Sequence, residues 1–386
     1  MKILLVSMPS IHFFRWTEQL EHSGHDFYWF DVVDGSPTKR LPWVKKMNGW
    51  KVKYPNLKGR YFIKNKFPLV YKMISPLVEN KTAKAFEEYL NAINPDVVHS
   101  FVLYISCTPI FSVMQKNRSL PWIYSSWGSD LYYFKEIPKY RRDIQKILPR
   151  IDYLITDCKR DIKIAKSLGF KNKILGSFPG GGGFNFSELD KYIVSPTSER
   201  RTILVKGYQG RSGRCIPVLK ALKLLNNELK NYKVIVFGAD KEVIKFSFKN
   251  NLESILNISI YNKSKFLPHK EIMKLMGEAL IYIGNSNSDG MPNTLLEAIG
   301  MGAFPIQSNP GGSTEEVLTH RENGLIISDI ENVEEIKNLI LLGISNSKLV
   351  EKAFIINQME LKAKYEREKI KQDVLHAYNV VDKRIR

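Results

Sequence analysis

Several things are scarce in this chain, and each scarcity excludes a class of chemistry. There are only three cysteines, Cys107, Cys158 and Cys215. They lie far apart, form no CxxC pair and have no histidine at ligand spacing, so neither a disulfide framework nor a zinc site is indicated and a reducing cytosol is the simple inference. No Asp-x-Asp metal motif occurs. No run reaches the ~20 apolar residues that span a bilayer. The longest uncharged stretch, Ser100 to Gln115, carries Ser, Thr and Pro109, so no transmembrane helix is expected. The start, Met1 to Ser7, has four apolar residues before Ser7 and Pro9, too few for a signal-peptide core, and reads as a first strand. Acidic residues are missing altogether between Ser36 and Ser75.

What is present is basic. Lys and Arg number 58 against 39 Asp and Glu, a formal charge of +19, which favours an anionic partner without naming it. The acid-free segment supplies much of the excess: between Lys39 and Lys72 the cations Arg40, Lys45, Lys53, Lys58, Lys64 and Lys66, among others, alternate with aromatics such as Trp43, Trp50, Tyr54, Phe62 and Phe67. Such a mixture suits an anionic membrane surface or a lipid-diphosphate acceptor held there. Single-stranded nucleic acid could use it for stacking and phosphate contact, and a solvated loop covering the domain is the third reading.

At 386 residues two domains of ordinary size are expected. Strand-like runs alternate with helical stretches: Lys2–Ser7, a helix near Phe13–Ser23, then strands at Asp26–Asp31, Asp96–Phe101, Trp122–Ser125, Tyr153–Thr156 and Lys173–Gly176. The alternation predicts a parallel sheet covered by helices on both faces, with ligands at the carboxyl ends of its strands. A polar stretch at 187–200, containing Ser195-Pro196-Thr197-Ser198, reads as a linker. Arg201 to Val205 then restarts the alternation. The expected division is 1–186, linker 187–200, 201–346 and a helical tail 347–386.

The stretch Ser286 to Glu316 holds the strongest functional signal. A buried strand, Ala279 to Ile283, breaks into a polar loop ending at Asp289 and Gly290, and Pro292 suits the first position of a helix whose apolar face is Leu295, Leu296, Ile299 and Met301. Backbone N–H groups from Gly290, Met291, Asn293 and Thr294, backed by the helix dipole, suit a diphosphate. Asp289 and Glu297 flank the helix start, where carboxylates can accept hydrogen bonds from sugar hydroxyls.

Asp289-x7-Glu297, Gly300-Met301-Gly302-Ala303-Phe304-Pro305, Ser308-Asn309-Pro310-Gly311-Gly312 and Glu315-Glu316 together resemble the pattern of retaining glycosyltransferases of family 4, group 1, with Asp289 where that pattern usually has Glu. The resemblance implies the GT-B fold: an α/β chain of two Rossmann-like domains facing a central cleft, an acceptor domain first and a nucleotide-sugar domain second, with the C-terminal helix returning to the first. It implies that Glu297 binds ribose hydroxyls, that Gly290, Met291, Pro292, Asn293 and Thr294 meet the donor sugar and diphosphate, and that Asp289 contacts the sugar. In the loop Lys206 to Arg214, it makes Lys206, Arg211 and Arg214 candidates for the donor phosphates. Lys265 lies in the segment that corresponds to base reading.

In the first half, Met8 to His12 lacks the glycine pair common in that family. His12 and Arg15 serve either an anionic acceptor or a plain helix start. Ser125 to Asp130 resembles the family's His-Gly-Ser-Asp segment with Trp127 in place of His, and Asp130 serves either an acceptor hydroxyl or a helix cap. The turn Gly180 to Gly183 has no following Lys-Ser/Thr, so it is no P-loop.

The activity so implied is transfer of a sugar from a nucleotide diphosphate sugar to a saccharide or lipid-linked saccharide, without metal or other cofactor, in bacterial surface polysaccharide, lipopolysaccharide or glycolipid assembly. A cytoplasmic location, peripheral at the inner membrane face, goes with it. A sugar-nucleotide epimerase of the same fold would instead turn over donor without acceptor. A nucleic-acid partner has no recognition motif behind it, and oligomeric state is not legible.

Overall fold

The computed structural model describes residues 1–35, 38–54, 59–194, 196–265 and 267–385; Lys58 of the basic segment, Ser195 of the expected linker and Phe266 lie outside them. The chain forms two units. Met1–Asp157, Asp161–Gly181 and Asp373–Arg386 make the first, and Cys158–Arg160 with Gly182–Gln372 the second. Each is built on one parallel sheet.

In the first unit the strands are β1 (Lys2–Ser7), β2 (Asp26–Asp31), β3 (Lys45–Met47), β4 (Val97–Phe101), β5 (Trp122–Ser125), β6 (Tyr153–Thr156) and β7 (Lys173–Ser177), in the order β3-β2-β1-β4-β5-β6-β7. Ile3, Leu4, Leu5 and Val6 of β1 are fully buried, as an uninterrupted apolar run must be when helices cover both faces. Sequence order reverses between β1 and β4, so the loops after Ser7 and Phe101 open at a topological switch point. β3 is hidden in the basic segment and shows no alternating pattern; Lys46 Nζ secures it by pairing with Asp31 at 3.0 Å and lying 4.4 Å from the Trp29 ring centroid. The first helix runs Ile11–Glu18, shorter than its pattern predicts. Ser10 Oγ caps it by accepting from Phe13 N at 3.2 Å, and left-handed backbone at His22 (φ 64) and Gly24 (φ 79) turns the chain away.

The second unit has β8 (Thr202–Lys206), β9 (Lys233–Ala239), β10 (Ile258–Asn262), β11 (Ala279–Gly284), β12 (Phe304–Ser308) and β13 (Leu325–Ile327), ordered β10-β9-β8-β11-β12-β13. Here the order reverses between β8 and β11. Two expectations of organisation change. The stretch at 187–200 is part of this unit: Arg200 is buried, and its Nη1 donates to the carbonyls of Ala279 at 3.0 Å and Gly302 at 2.6 Å. The tail also divides. Val350 and Ala353 of helix Ser347–Ile356 belong to the second core, and only the last helix, Arg367–Ile385, enters the first unit, where Tyr378 O–H lies 2.7 Å from His99 Nδ1.

Candidate functional site

The second unit brings most of the expected donor residues to one end of its sheet. Lys206 closes β8, and the loop after β11 carries Asp289, so the pair flanks the switch point. Lys206 Nζ lies 3.3 Å from Asp289 Oδ2 and 4.9 Å from the Tyr208 ring centroid. Burial works against the charged ammonium, but Asp289, Tyr282 and Tyr208 outweigh it and hold the Lys206 pKa above its ordinary value. The lysine is therefore a fixed cation. Ser286 Oγ, 3.4 Å from the same Asp289 oxygen, adds a weak contact.

The following helix is Asn293–Gly300, with Pro292 at the cap in extended conformation rather than at the first helical position. Its first carbonyl bonds go from Leu295 N and Leu296 N to Pro292 O, at 3.0 and 3.2 Å. The amides of Asn293 and Thr294 precede them, at the positive end of the dipole. Gly290, Met291 and Pro292, expected to meet the donor, are buried. Thr294 Oγ1 accepts from Tyr282 O–H at 2.9 Å; burial raises that phenol to about 12. Glu297 is nearly buried, with one oxygen 2.6 Å from His269 Nε2.

Arg160 is the support that sequence reading misses. Its Nη1 donates to Asp289 O at 2.9 Å and Pro310 O at 2.6 Å, joining the loops after β11 and β12. Glu316 in turn accepts from the Lys159 and Arg160 amides at 2.8 and 2.9 Å. These partners are up to 157 positions apart, so no local pattern announces them. His269 escapes for the same reason, as a lone histidine at a helix start.

The remaining donor candidates separate. Arg214 has its guanidinium on Glu331 and on the carbonyls of Gly210 and Gly213, and so braces its own loop. Arg211 is exposed, with its carbonyl accepting from Asn287 Nδ2 at 3.3 Å, which ties this loop to the one bearing Asp289. Lys265 is exposed on the turn after β10, held by its amide to Asn262 O at 2.9 Å.

In the first unit His12 and Arg15 are half-buried on helix Ile11–Glu18, and the His12 ring centroid is 5.6 Å from that of Trp127. Asp130 differs from an acceptor contact. It is buried, its Oδ2 accepts from Leu103 N at 2.9 Å and Tyr124 O–H at 2.6 Å, and its Oδ1 accepts from Trp127 N at 2.9 Å. Burial raises its pKa while these donors pull it down. It holds the Trp127 loop from inside the short helix Ser129–Tyr132, whose cap position is Gly128 and has no side-chain cap bond.

Residues 197–357 match the model of a family described as glycosyl transferases group 1. No curated protein matches closely enough to count as a relative. Among solved structures, the chain is similar to sucrose-phosphate synthase (tll1590) from Thermosynechococcus elongatus, at 13% identity over 99% of both chains with a TM-score of 0.71. It is similar to a glycosyltransferase from Rickettsia africae ESF-5, at 17% identity over 98% of both chains with a TM-score of 0.67. Anabaena Alr3699/HepE in complex with UDP matches at 12% identity, over 98% of this chain and 100% of that one, with a TM-score of 0.69. Identities this low establish fold. The match to the group 1 model thus lies within the second unit, and the chain as a whole has the GT-B architecture of these solved structures.

Proposed function

We propose that this protein, whose second unit holds the match to the group 1 model, transfers a sugar from a nucleotide diphosphate sugar to an acceptor hydroxyl with retention of configuration. One observation carries the reading: the Lys206 ammonium pairs with Asp289 at the sheet's switch point, in the loop that leads into helix Asn293–Gly300. A diphosphate is held by a fixed cation together with backbone amides at a helix start. The Anabaena structure of the same fold is a complex with UDP, and another structure of that protein is a complex with UDP-glucose. These support a nucleotide-sugar donor here.

Retention and membership of family 4 rest on the resemblance of Asp289-x7-Glu297 and the segments after it. In the reaction we infer, the acceptor oxygen attacks the anomeric carbon from the face the diphosphate leaves. The bond to the acceptor forms as the bond to the β-phosphate oxygen breaks, and the acceptor proton passes to the departing phosphate. Lys206 and the helix amides offset charge on the leaving group, so turnover without a divalent metal is expected. Glu297, oriented by His269, holds the ribose. The acceptor is a saccharide or lipid-linked saccharide in bacterial surface polysaccharide, lipopolysaccharide or glycolipid assembly, made in the cytoplasm.

The test is thermal stabilisation by UDP, GDP, dTDP and CDP in EDTA, for wild type and Glu297→Ala. A saturable shift with one nucleotide, absent in the variant, supports the site. No shift with any of them in a folded protein overturns it.

A further inference from the structure

The basic segment divides into two parts that behave oppositely. Its first part is structural: Trp50 is buried and its Nε1 donates to Asp31 O at 2.9 Å, while Lys46 is spent on Asp31 and Trp29. The second part is a pair of helices, Arg60–Lys66 and Pro68–Val78, with an inverted polarity. Leu69 is 79% exposed, Met73 81%, Leu77 71%, Phe62 61%, Phe67 53% and Val70 51%.

At 100° per residue Leu69, Met73, Leu77 and Val70 share one face of the second helix. Tyr71 lies on the opposite face and anchors it: the ring is buried, its O–H donates to Glu79 at 2.7 Å, and Lys64 Nζ sits 5.7 Å from the ring centroid. The outward face is thus the apolar one. Isolated exposed leucines need no explanation, but six large apolar side chains on one helical pair do. Lys64, Lys66 and Lys72 are exposed beside them, and no Asp or Glu occurs from Ser36 to Val78.

From this we propose that the helical pair Arg60–Val78 docks on an anionic lipid bilayer, with Leu69, Val70, Met73 and Leu77 among the acyl chains and Lys64, Lys66 and Lys72 at the headgroups. Charge complementarity selects this occupant. A second copy would bring lysines against lysines. Single-stranded nucleic acid stacks on aromatic faces, whereas the most exposed residues here are Met73, Leu69 and Leu77, which offer no ring. Lipid takes both the aliphatic face and the cations flanking it. The surface would hold the enzyme where a lipid-linked acceptor is presented, but the docking itself does not depend on sugar transfer.

The full-length protein is sedimented with vesicles of phosphatidylcholine, alone and with phosphatidylglycerol mixed in. Binding is expected only to the anionic vesicles, weakening as salt is raised. Lys64→Gln, Lys66→Gln and Lys72→Gln together should lower the partition coefficient on the order of a hundredfold, about fivefold for each lysine. Leu69→Ser with Met73→Ser should lower it about tenfold or more at unchanged melting temperature, since both side chains are already in water. Phe248→Ser, at an equally exposed site on the second unit (86%), should change nothing. Absence of vesicle binding overturns the proposal, as does equal binding to neutral vesicles or binding that both multiple variants leave intact. If instead the variants abolish binding of a single-stranded oligonucleotide, or dissociate a dimer, while vesicles never bind, the surface belongs to those partners and the proposal is wrong.

Discussion

Nε2 of His269 lies 2.6 Å from Oε1 of Glu297, a carboxylate that is only 4% exposed. The first residue of helix His269–Glu278 is thereby joined to the fifth residue of helix Asn293–Gly300. A buried carboxylate needs partners, and its orientation is set by whichever partner is rigid. His269 therefore helps set how the Glu297 carboxylate is turned.

If Glu297 holds a ribose, the two residues should fail unequally. Glu297→Ala should remove detectable binding of the preferred nucleotide diphosphate. His269→Ala should weaken it about tenfold or more, from the ~1.5–3 kcal/mol of one lost hydrogen bond to a charged group. Titration calorimetry on both variants measures this, and undiminished binding by Glu297→Ala would remove the ribose role.

The Lys206–Asp289 pair, 3.3 Å apart, leads to an opposite pair of effects. A bound diphosphate competes with Asp289 for the same ammonium. If Asp289 contacts the donor sugar, Asp289→Asn releases that competition, so UDP or its counterpart should bind as tightly or more tightly while turnover falls. Lys206→Ala should weaken diphosphate binding ~10-fold or more. Comparing Kd with kcat for the two variants separates these roles. Parallel loss of both quantities in Asp289→Asn would argue that Asp289 merely holds the loop.

Gly300 tests the scaffold under the helix. A Cβ there would come 1.9 Å from Phe186 Cε1 and 2.3 Å from its Cζ, and Phe186 is itself fully buried. Gly300→Ala should therefore destabilise the second unit by ~1–3 kcal/mol, the usual size of an overpacking penalty. Adding Phe186→Leu should recover part of it, because the shorter side chain vacates the clash. Thermal melts of the single and double variants measure the coupling, and additive losses would show that the ring is not the obstacle.

Legibility in the sequence followed how local each cause is. Parallel strands such as Lys2–Ser7 and Ala279–Gly284 announce themselves as apolar runs, because both sheet faces are covered. The order of loop, proline and helix around Pro292 was equally plain, with the start displaced by one residue because Pro292 takes extended backbone. β3 was missed since Lys45-Lys46-Met47 carries no strand pattern and is recruited by Asp31 and Trp29. Arg160 and His269 act on partners that only the fold brings near. Asp130 was legible as a polar residue near a helix start, but its place inside the short helix Ser129–Tyr132 and its bonds to Tyr124 and Leu103 were not.

His99 gives the first unit a defined acid sensitivity. It is fully buried on β4, with Nδ1 2.7 Å from Tyr378 O–H and Nε2 2.7 Å from Ser125 Oγ, and burial lowers its pKa to about 3. In the unfolded chain the ordinary value is ~6.5. Between these two values the unfolded chain binds a proton that the folded unit refuses, so stability rises with pH across that window. The contribution is complete above about pH 6.5 and is lost as pH falls toward 3, at up to ~1.4 kcal/mol per pH unit. All six tryptophans, Trp16, Trp29, Trp43, Trp50, Trp122 and Trp127, lie in the first unit. Tryptophan fluorescence therefore reports its melting alone. Wild type should lose melting temperature steadily from about pH 7 to about pH 5, whereas His99→Gln, which keeps a donor and an acceptor but cannot titrate, should start lower and fall less steeply. An equal slope in the two proteins would mean that other groups set the acid response and that burial of this imidazole contributes nothing to it.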